Sequence, residues 1–551
     1  MILIIVLLSI SLNGKICYNK YMNEEYLKII DKINKNKYVK KTKKSVFSLL
    51  FSRAGVYLVL ILAQIIFAIF LYKYMDLEPS ILIGGDTVLS VIVMLIILNN
   101  DYINPSYKLS WFILIAITPT LATLLFILSH KSIGYRREQK KIVEMEKYAR
   151  KYHSRDIKMI EDLKESDPGL YNMQNYFYDL GGFVAHENTS TKYYPVGEDI
   201  FADILKAIRG AKEFIFIEIF IIDYGYMWGT ILEELVKKME EGVEVRLLID
   251  GTNVLTRVKG DFVEEMESMG IKCKVFSPLY PIISTHYNNR DHRKIFVIDN
   301  EYAFTGGINI SDEYINVFER FGHWKDCGLR IGGEACEAFT IMFLQMWNAS
   351  SDDLEDFSKY LERKIDPFGD GLVLPFADSP MDGEDYGKNS LLQLLNRSSD
   401  YVYIMTPYLV IEDELVNAII NAAKRGVDVR ICLPHIPDKK VAFALAKSHY
   451  KTLISNGVKI FEYTPGFCHS KVWLADGKYG FVGTINLDYR AFYLNFECGV
   501  WMKDCHALYE IKSDFDVFFT IATSITLEDV ENMPITTKII GAVAKPFATL
   551  F

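Results

Sequence analysis

Apolar positions along the 551-residue chain fall into two textures that change near residue 176. Before that point hydrophobic residues come in long blocks. Residues 54–72 contain Gln64 as their one strongly polar side chain, and residues 109–129 are uncharged, with Pro119 inside. Blocks of this length predict membrane-spanning helices, in which a proline is tolerated. Residues 81–98 are weaker, because Gly84, Gly85, Asp86 and Thr87 interrupt their first half. The uninterrupted stretch 88–98 has the length of a re-entrant or buried helix. The apolar run 2–12 is too short to span and lacks the positive flank and cleavage site of a secretory signal, so it reads as a peripheral anchor.

After residue 176 short apolar strands alternate with amphipathic helices, and the pattern occurs twice. The first copy predicts a helix over 200–208, a strand over 214–222, a helix over 232–239 and a strand over 243–249. The second predicts the corresponding elements over 391–395, 401–405, 415–423 and 427–433. Strand entries even share wording, Gly242-Val243-Glu244-Val245-Arg246 against Gly426-Val427-Asp428-Val429-Arg430. Such alternation predicts an α/β fold of βαβ units with a mainly parallel sheet covered on both faces. The expected organisation is a basic segment 1–53, a region of two or three transmembrane helices 54–129 and a basic helical linker 130–175. Two α/β domains, 176–360 and 361–525, and a tail 526–551 follow. Apolar residues with Lys538 and Lys545 suit that tail to bilayer contact, while Pro546 argues against one long helix.

Charge sharpens this picture. The net charge is -9, yet residues 1–150 carry +10 and the remainder -19. A basic head on an acidic body suits anionic lipid and disfavours a nucleic-acid groove. Lys40, Lys41, Lys43, Lys44 and Arg53 precede the first apolar block, and Lys131, Arg136, Arg137, Lys140 and Lys141 follow the last. Both clusters favour the cytoplasmic side, so an even number of crossings and a cytoplasmic catalytic body are expected. Eight cysteines are scattered without CxxC pairs, which predicts buried free thiols and no zinc site.

Each copy ends in the same constellation. The first is His292-Arg293-Lys294, Asp299 and Gly306-Gly307-Ile308-Asn309; the second is His469-Ser470-Lys471, Asp476 and Gly483-Thr484-Ile485-Asn486. Histidine, lysine, aspartate and asparagine all recur at an offset of 177 residues. His and Lys two apart on a strand share a face, and the apolar run 295–298 anchors that strand in the core. Asn309 and Asn486 follow glycine-rich turns where backbone can approach a ligand. Together the copies assemble two His, two Lys and two Asn. Lysines and asparagines suit phosphoryl oxygens, and two imidazoles suit in-line attack and leaving-group protonation. Asp299 and Asp476 complete the candidate catalytic set with His292, Lys294, His469 and Lys471, but they lie an odd number of residues from their histidines, which favours a structural, hydrogen-bonding role over direct catalysis.

This constellation resembles the paired HxKx4D motifs of the phospholipase D superfamily, and the chain is similar to bacterial cardiolipin synthases over nearly its whole length. Further likeness lies in 289–294, in Phe321-Gly322-His323-Trp324-Lys325-Asp326, in 343–347, in Asn486-Leu487-Asp488-Tyr489-Arg490 and in Asn495-Phe496-Glu497. The resemblance implies two phospholipase D-like α/β domains forming one pseudo-symmetric site behind a transmembrane region. It also implies the joining of two phosphatidylglycerols into cardiolipin, with release of glycerol and with neither metal nor cofactor. Phosphatidylglycerol, cardiolipin and the bilayer are then the partners, nucleic acid is not, and the enzyme is a multi-pass protein of the cell membrane. His292 is implied as nucleophile and His469 as acid and base. Glu497 is implied as a carboxylate supporting a histidine, with Asp326 its counterpart, and Gly307 and Thr484 belong to the supporting set. Thr484 stands where serine is usual, and Ala491 where serine often follows the arginine.

Other readings compete. A phospholipase D-type hydrolase or transphosphatidylase would pass the same phosphoenzyme to water or another alcohol. A nuclease is disfavoured by the acidic body, and an inactive scaffold by two complete motifs. Cys468 beside His469, and Trp228, Trp324 and Trp347, read as packing residues. Histidines outside the motifs, such as His286, His435 and His449, read as surface or core residues.

Overall fold

A computed structural model describes residues 79–101, 103–130, 136–258, 260–277, 289–350, 354–362, 369 and 371–550. The expected span 54–72, the basic cluster before it, the run 2–12, Cys17 and His286 lie outside the described residues.

Both repeats fold where the apolar pattern places them. The first contains the helix Gly197–Gly210, strand Phe214–Ile219, helix Tyr226–Glu240 and strand Glu244–Asp250. The second contains Tyr386–Arg397, Tyr401–Met405, Asp413–Lys424 and Asp428–Pro434 in the same order. In each, two βα crossovers lay three strands parallel, Phe214–Ile219, Glu244–Asp250 and Lys272–Phe276 in the first sheet.

The sheets are mixed, however, and not mainly parallel. In the first, the motif strand Lys294–Ile298 runs antiparallel to Phe214–Ile219, and Tyr302–Gly306, Gly328–Gly333 and Thr189–Tyr194 continue antiparallel. The second sheet repeats this with Val472–Ala475, Tyr479–Gly483, Asn495–Lys503 and Leu372–Asp378. The cause is local. Each motif strand turns back at once through consecutive left-handed residues, Asp299 and Asn300 in one copy, Asp476 and Gly477 in the other. Short Asp/Asn/Gly turns of this kind close hairpins, and a hairpin needs no crossover helix.

The two sheets share one core, in which Phe216, Val297 and Ile331 belong to the same cluster as Trp473, Phe481 and Val500. Helices Arg136–Ala149, Ile157–Ser166 and Pro168–Gly181 join that core through Ile142, Met159, Leu163, Leu170 and Phe177. The segment expected as a linker is therefore packed against the body. Trp228, Trp324 and Trp347 are buried, as are the seven described cysteines, all free.

The amino-terminal helices depart from the spans expected. Residues 109–129 do not form one helix. Pro105–Ile117 ends at Thr118, and Pro119–His130 begins anew, because proline cannot donate the next helical hydrogen bond. At 1.5 Å per residue each piece is about 20 Å long, short of a hydrocarbon core of about 30 Å. Residues 81–98 instead lie within one continuous helix, Pro79–Leu98, which runs through Gly84 and Gly85 and whose side chains are described from Thr87. Among the described residues no helix is long and apolar enough to cross a membrane.

The helix Pro105–Ile117 is tied to the second repeat. Asn104 Nδ2 donates to Glu412 Oε2 at 2.7 Å, Tyr489 OH donates to Ser106 Oγ at 3.0 Å, and Ser110 Oγ donates to the Pro546 carbonyl at 2.7 Å. The carboxy-terminal helix Ile535–Ala544 lies on the Lys440–Ile454 helix, where Gly541 leaves its Cβ position 2.7 Å from the Ala444 carbonyl. A side chain there would block the approach. Its opposite face exposes Ile535, Ile539, Ile540 and Val543.

Candidate active site

The two motifs meet where the repeats exchange strand edges. Arg290–Asp291 of the first repeat pairs in parallel with Asn495 and Phe496 of the second, and His323–Lys325 pairs with Gly466–Cys468. Through these pairings His292 N–H donates to the Phe496 carbonyl at 2.9 Å, and His469 N–H donates to the Lys325 carbonyl at 2.7 Å. Each histidine is held by backbone from the other repeat. Lys325 is itself fixed, its Nζ donating to Asp514 Oδ2 at 2.8 Å inside the protein.

Side chains cross the same seam. His292 Nδ1 lies 2.8 Å from Glu497 Oε2, and His469 Nδ1 lies 2.8 Å from Asp326 Oδ2. Both carboxylates are fully buried and carry further donors. Thr484 Oγ1 donates to Glu497 Oε2 at 2.5 Å and Asn495 Nδ2 donates to Oε1 at 3.0 Å. Trp324 Nε1 donates to Asp326 Oδ2 at 3.1 Å. With Nδ1 facing a carboxylate, each imidazole keeps its proton there and presents Nε2 on the far side of the ring.

The lysines share the faces of their histidines. Lys294 Nζ donates to the His292 carbonyl at 2.6 Å, whereas Lys471 Nζ donates to the His469 carbonyl and also lies 3.0 Å from His469 Nδ1. Both ammonium groups are buried, and burial lowers both, Lys294 to about 7. Burial, followed by the charges of Lys294 and Lys471, holds His292 well below the usual imidazole range. Burial and Lys471 lower His469 to about 4, against the pull of Asp326. Burial alone would raise Asp326, but His469 and Lys471 hold it below the ordinary carboxylate value. The resting pocket therefore contains two neutral imidazoles beside two buried lysines, whose charged forms a bound anion would favour.

The asparagines are not equivalent. Asn309 Oδ1 accepts from the Ile221 N–H at 3.0 Å and its Nδ2 donates to Tyr314 OH at 2.8 Å, while Asn486 Oδ1 is buried with no partner among the described residues. Gly307 abuts the site from below, since a Cβ there would fall 2.9 Å from the His469 carbonyl and on top of Asp326 Oδ1. Asp299 and Asp476 point away. Asp299 accepts from the backbone N–H groups of Lys212, Glu213 and Phe214, and Asp476 from those of Ser399, Asp400 and Tyr401. They lock each motif hairpin to the neighbouring strand.

Aromatic walls enclose the histidines. Phe220 meets His292 edge-on at 4.7 Å, and Trp324 and Tyr314 lie 5.3 and 5.5 Å from His469. Phe220 and Tyr314 carry no motif signal and are found only through the fold; Trp324 is both the core residue expected and a donor to Asp326. Cys468 is buried and its thiol is pushed up to about 11, which suits packing. His449 is buried and His435 half exposed. Among the described residues no group of His, Cys, Asp and Glu could hold a metal ion.

A family model described as "Cardiolipin synthase, PLD-like domain" matches residues 204–320 and 391–518, one stretch in each repeat. An uncharacterized protein of Streptococcus mutans is 45% identical over 82% of this chain and 98% of its own length. A cardiolipin synthase of Alkalihalophilus pseudofirmus is 30% identical over 84% of this chain and 92% of its own. Cardiolipin synthase 1 of Staphylococcus aureus is 29% identical over 82% and 93%. Among solved structures, a phosphatidylserine synthase of Haemophilus influenzae superposes with a TM-score of 0.53 at 17% identity, covering 69% of this chain and 98% of that one, a likeness of fold. Similarity to cardiolipin synthases over 82–84% of a chain whose two motifs converge on one seam leads to a single assignment: the protein belongs to the cardiolipin synthase family of phospholipase D-like phospholipid synthases.

Proposed function

We propose that the protein joins two phosphatidylglycerol molecules into cardiolipin and releases glycerol, through a phosphatidyl group carried on His292. The observation that carries this reading is the reciprocal support of two neutral imidazoles, Glu497 on His292 and Asp326 on His469, beside two buried lysines. In the first half-reaction His292 Nε2 attacks phosphorus and the bond to the glycerol oxygen breaks. His469 delivers a proton to that oxygen. In the second, His469 takes the proton of the acceptor hydroxyl as it attacks phosphorus and the P–N bond breaks. Lys294, Lys471 and the amides of Asn309 and Asn486 hold the phosphoryl oxygens.

Asymmetry supports the division of labour. Lys471 Nζ adjoins His469 Nδ1, so the bound anion, by offsetting lysine charge, lets a proton settle on this imidazole. Lys294, by contrast, contacts the backbone carbonyl of His292.

The reading places the reaction at the cell membrane. Support comes from the exposed aliphatic faces of Pro79–Leu98, which packs on Pro105–Ile117 and Pro119–His130, and of Ile535–Ala544, whose Ala544 joins Tyr489, three residues beyond Asn486. Acyl chains would remain in the bilayer while headgroups enter the pocket.

Four outcomes are expected. Labelled phosphatidylglycerol should yield cardiolipin and glycerol by thin-layer chromatography, and His292→Ala should lower that rate on the order of 10⁴-fold; phosphatidic acid as sole product, or an active variant, would defeat the reading. With a nitrophenol leaving group, which needs no acid, His469→Ala should still give a burst and a phosphorylated His292 peptide by mass spectrometry. An adduct on the His469 peptide in the wild type would reverse the roles. Free-enzyme Lys294 is protonated below its value of about 7 and neutral above it, so kcat/KM should decline as pH rises through that region. Lys294→Arg should carry the limb upward, and a flat profile would count against a lysine clamp. Finally, Ile539→Asp with Val543→Asp should reduce co-flotation with phosphatidylglycerol vesicles; undiminished flotation would remove this helix from the membrane contact.

A further inference from the structure

We propose that Lys439 is a specificity residue that holds the intact phosphodiester of the acceptor lipid and so favours a second phosphatidylglycerol over water or a simple alcohol. This rests on the reading above and deepens it. Cardiolipin formation places two phosphates near the site at once. One is bonded to His292 between Lys294 and Lys471. The other belongs to the acceptor and stays unbroken, one glycerol unit away from the hydroxyl that attacks. A second positive group is needed at that distance, outside the motif pocket.

Lys439 occupies such a place. The strand Leu409–Val410 pairs in parallel with Leu487–Asp488, directly after Asn486. Thr406 Oγ1 accepts the Leu487 N–H at 3.2 Å and donates to the Tyr408 carbonyl at 2.9 Å, which sets Tyr408 beside the asparagine turn. The ammonium of Lys439 stands 4.5 Å over the Tyr408 ring. Lys439 is exposed and makes no ion pair among the described residues. The acidic neighbour Asp438 is committed, accepting from Tyr408 OH at 2.6 Å.

Two further relations tie this lysine to the chemistry. Its charge reaches His292 only weakly, behind burial, Lys294, Lys471 and His469, as suits a cation just outside the motif pocket. Tyr408 lies within electrostatic reach of Tyr314, and Tyr314 packs 5.5 Å from His469. Lys439 and Tyr408 thus flank the asparagine turn of the second motif, the one that carries His469. Another cation whose charge reaches Tyr314, Arg257, is already engaged by Asp223 at 2.8 Å. In the transfer itself the acceptor oxygen bonds to phosphorus, the P–N bond to His292 breaks, and the hydroxyl proton passes to His469. Lys439 enters no bond change. It positions the acceptor.

The test is competition for the phosphoenzyme. Full-length enzyme receives labelled phosphatidylglycerol with a fixed amount of ethanol, and cardiolipin, phosphatidylethanol and the initial burst of glycerol are measured. Lys439→Gln should lower the ratio of cardiolipin to phosphatidylethanol roughly tenfold, the scale of one lost charge-assisted hydrogen bond, and Lys439→Arg should restore it. The glycerol burst should stay within about twofold of wild type, since donor attack is untouched. An unchanged ratio in a wild-type enzyme that makes cardiolipin would overturn the subsite alone. A burst that falls together with cardiolipin would assign Lys439 to the donor instead and also overturn it. Absence of cardiolipin from the wild type would overturn the parent reading.

Discussion

The structure turns on a crossed pair of hydrogen bonds in which a carboxylate from each repeat holds the catalytic-motif imidazole of the other. Burying His292, His469, Lys294 and Lys471 together is costly, because water no longer solvates their charge. Glu497 and Asp326 offset that cost only if they arrive from across the seam. The short strand pairs Arg290–Asp291 with Asn495–Phe496, and His323–Lys325 with Gly466–Cys468, are the backbone expression of this requirement. Gly307 belongs to it too, since any larger residue would displace Asp326.

The balance of charge in the pocket explains how an acidic body can work on anionic lipid. The remainder of the chain beyond residue 150 carries -19, yet the site concentrates two ammonium groups in a space from which solvent is excluded. Low polarizability there strengthens each lysine's pull on a phosphodiester while lowering the pKa of both free lysines. Binding and protonation are therefore coupled: the ligand supplies the negative charge that the protein withholds.

Much of this was legible in the amino-acid sequence, and the limits have physical causes. Periodicity located the helices and parallel strands of both repeats, because each buries one continuous apolar stripe. The 177-residue offset located both motifs, and the odd spacing of Asp299 and Asp476 from their histidines anticipated their place as caps on neighbouring backbone. The antiparallel halves of the sheets are set by the turn dipeptides Asp299-Asn300 and Asp476-Gly477, a signal weaker than the strand-helix alternation that predicts parallel strands. An uncharged block predicts one span through Pro119, yet this proline separates two helices. Phe220, Tyr314 and Lys439 were invisible because their roles come from distant strands brought side by side. Which carboxylate serves which histidine is likewise a property of the seam and not of either repeat.

The seam also determines how such an enzyme fails. Neither α/β unit contains a complete histidine support, although each contains its own sheet. A small hinge-like parting of the two units would strip both imidazoles of their carboxylates simultaneously while leaving every strand in place. Loss of activity on heating would then report the opening of an internal interface, a cooperative event distinct from melting of the sheets, and the chain would behave kinetically like a dimer whose subunits happen to be covalently tethered.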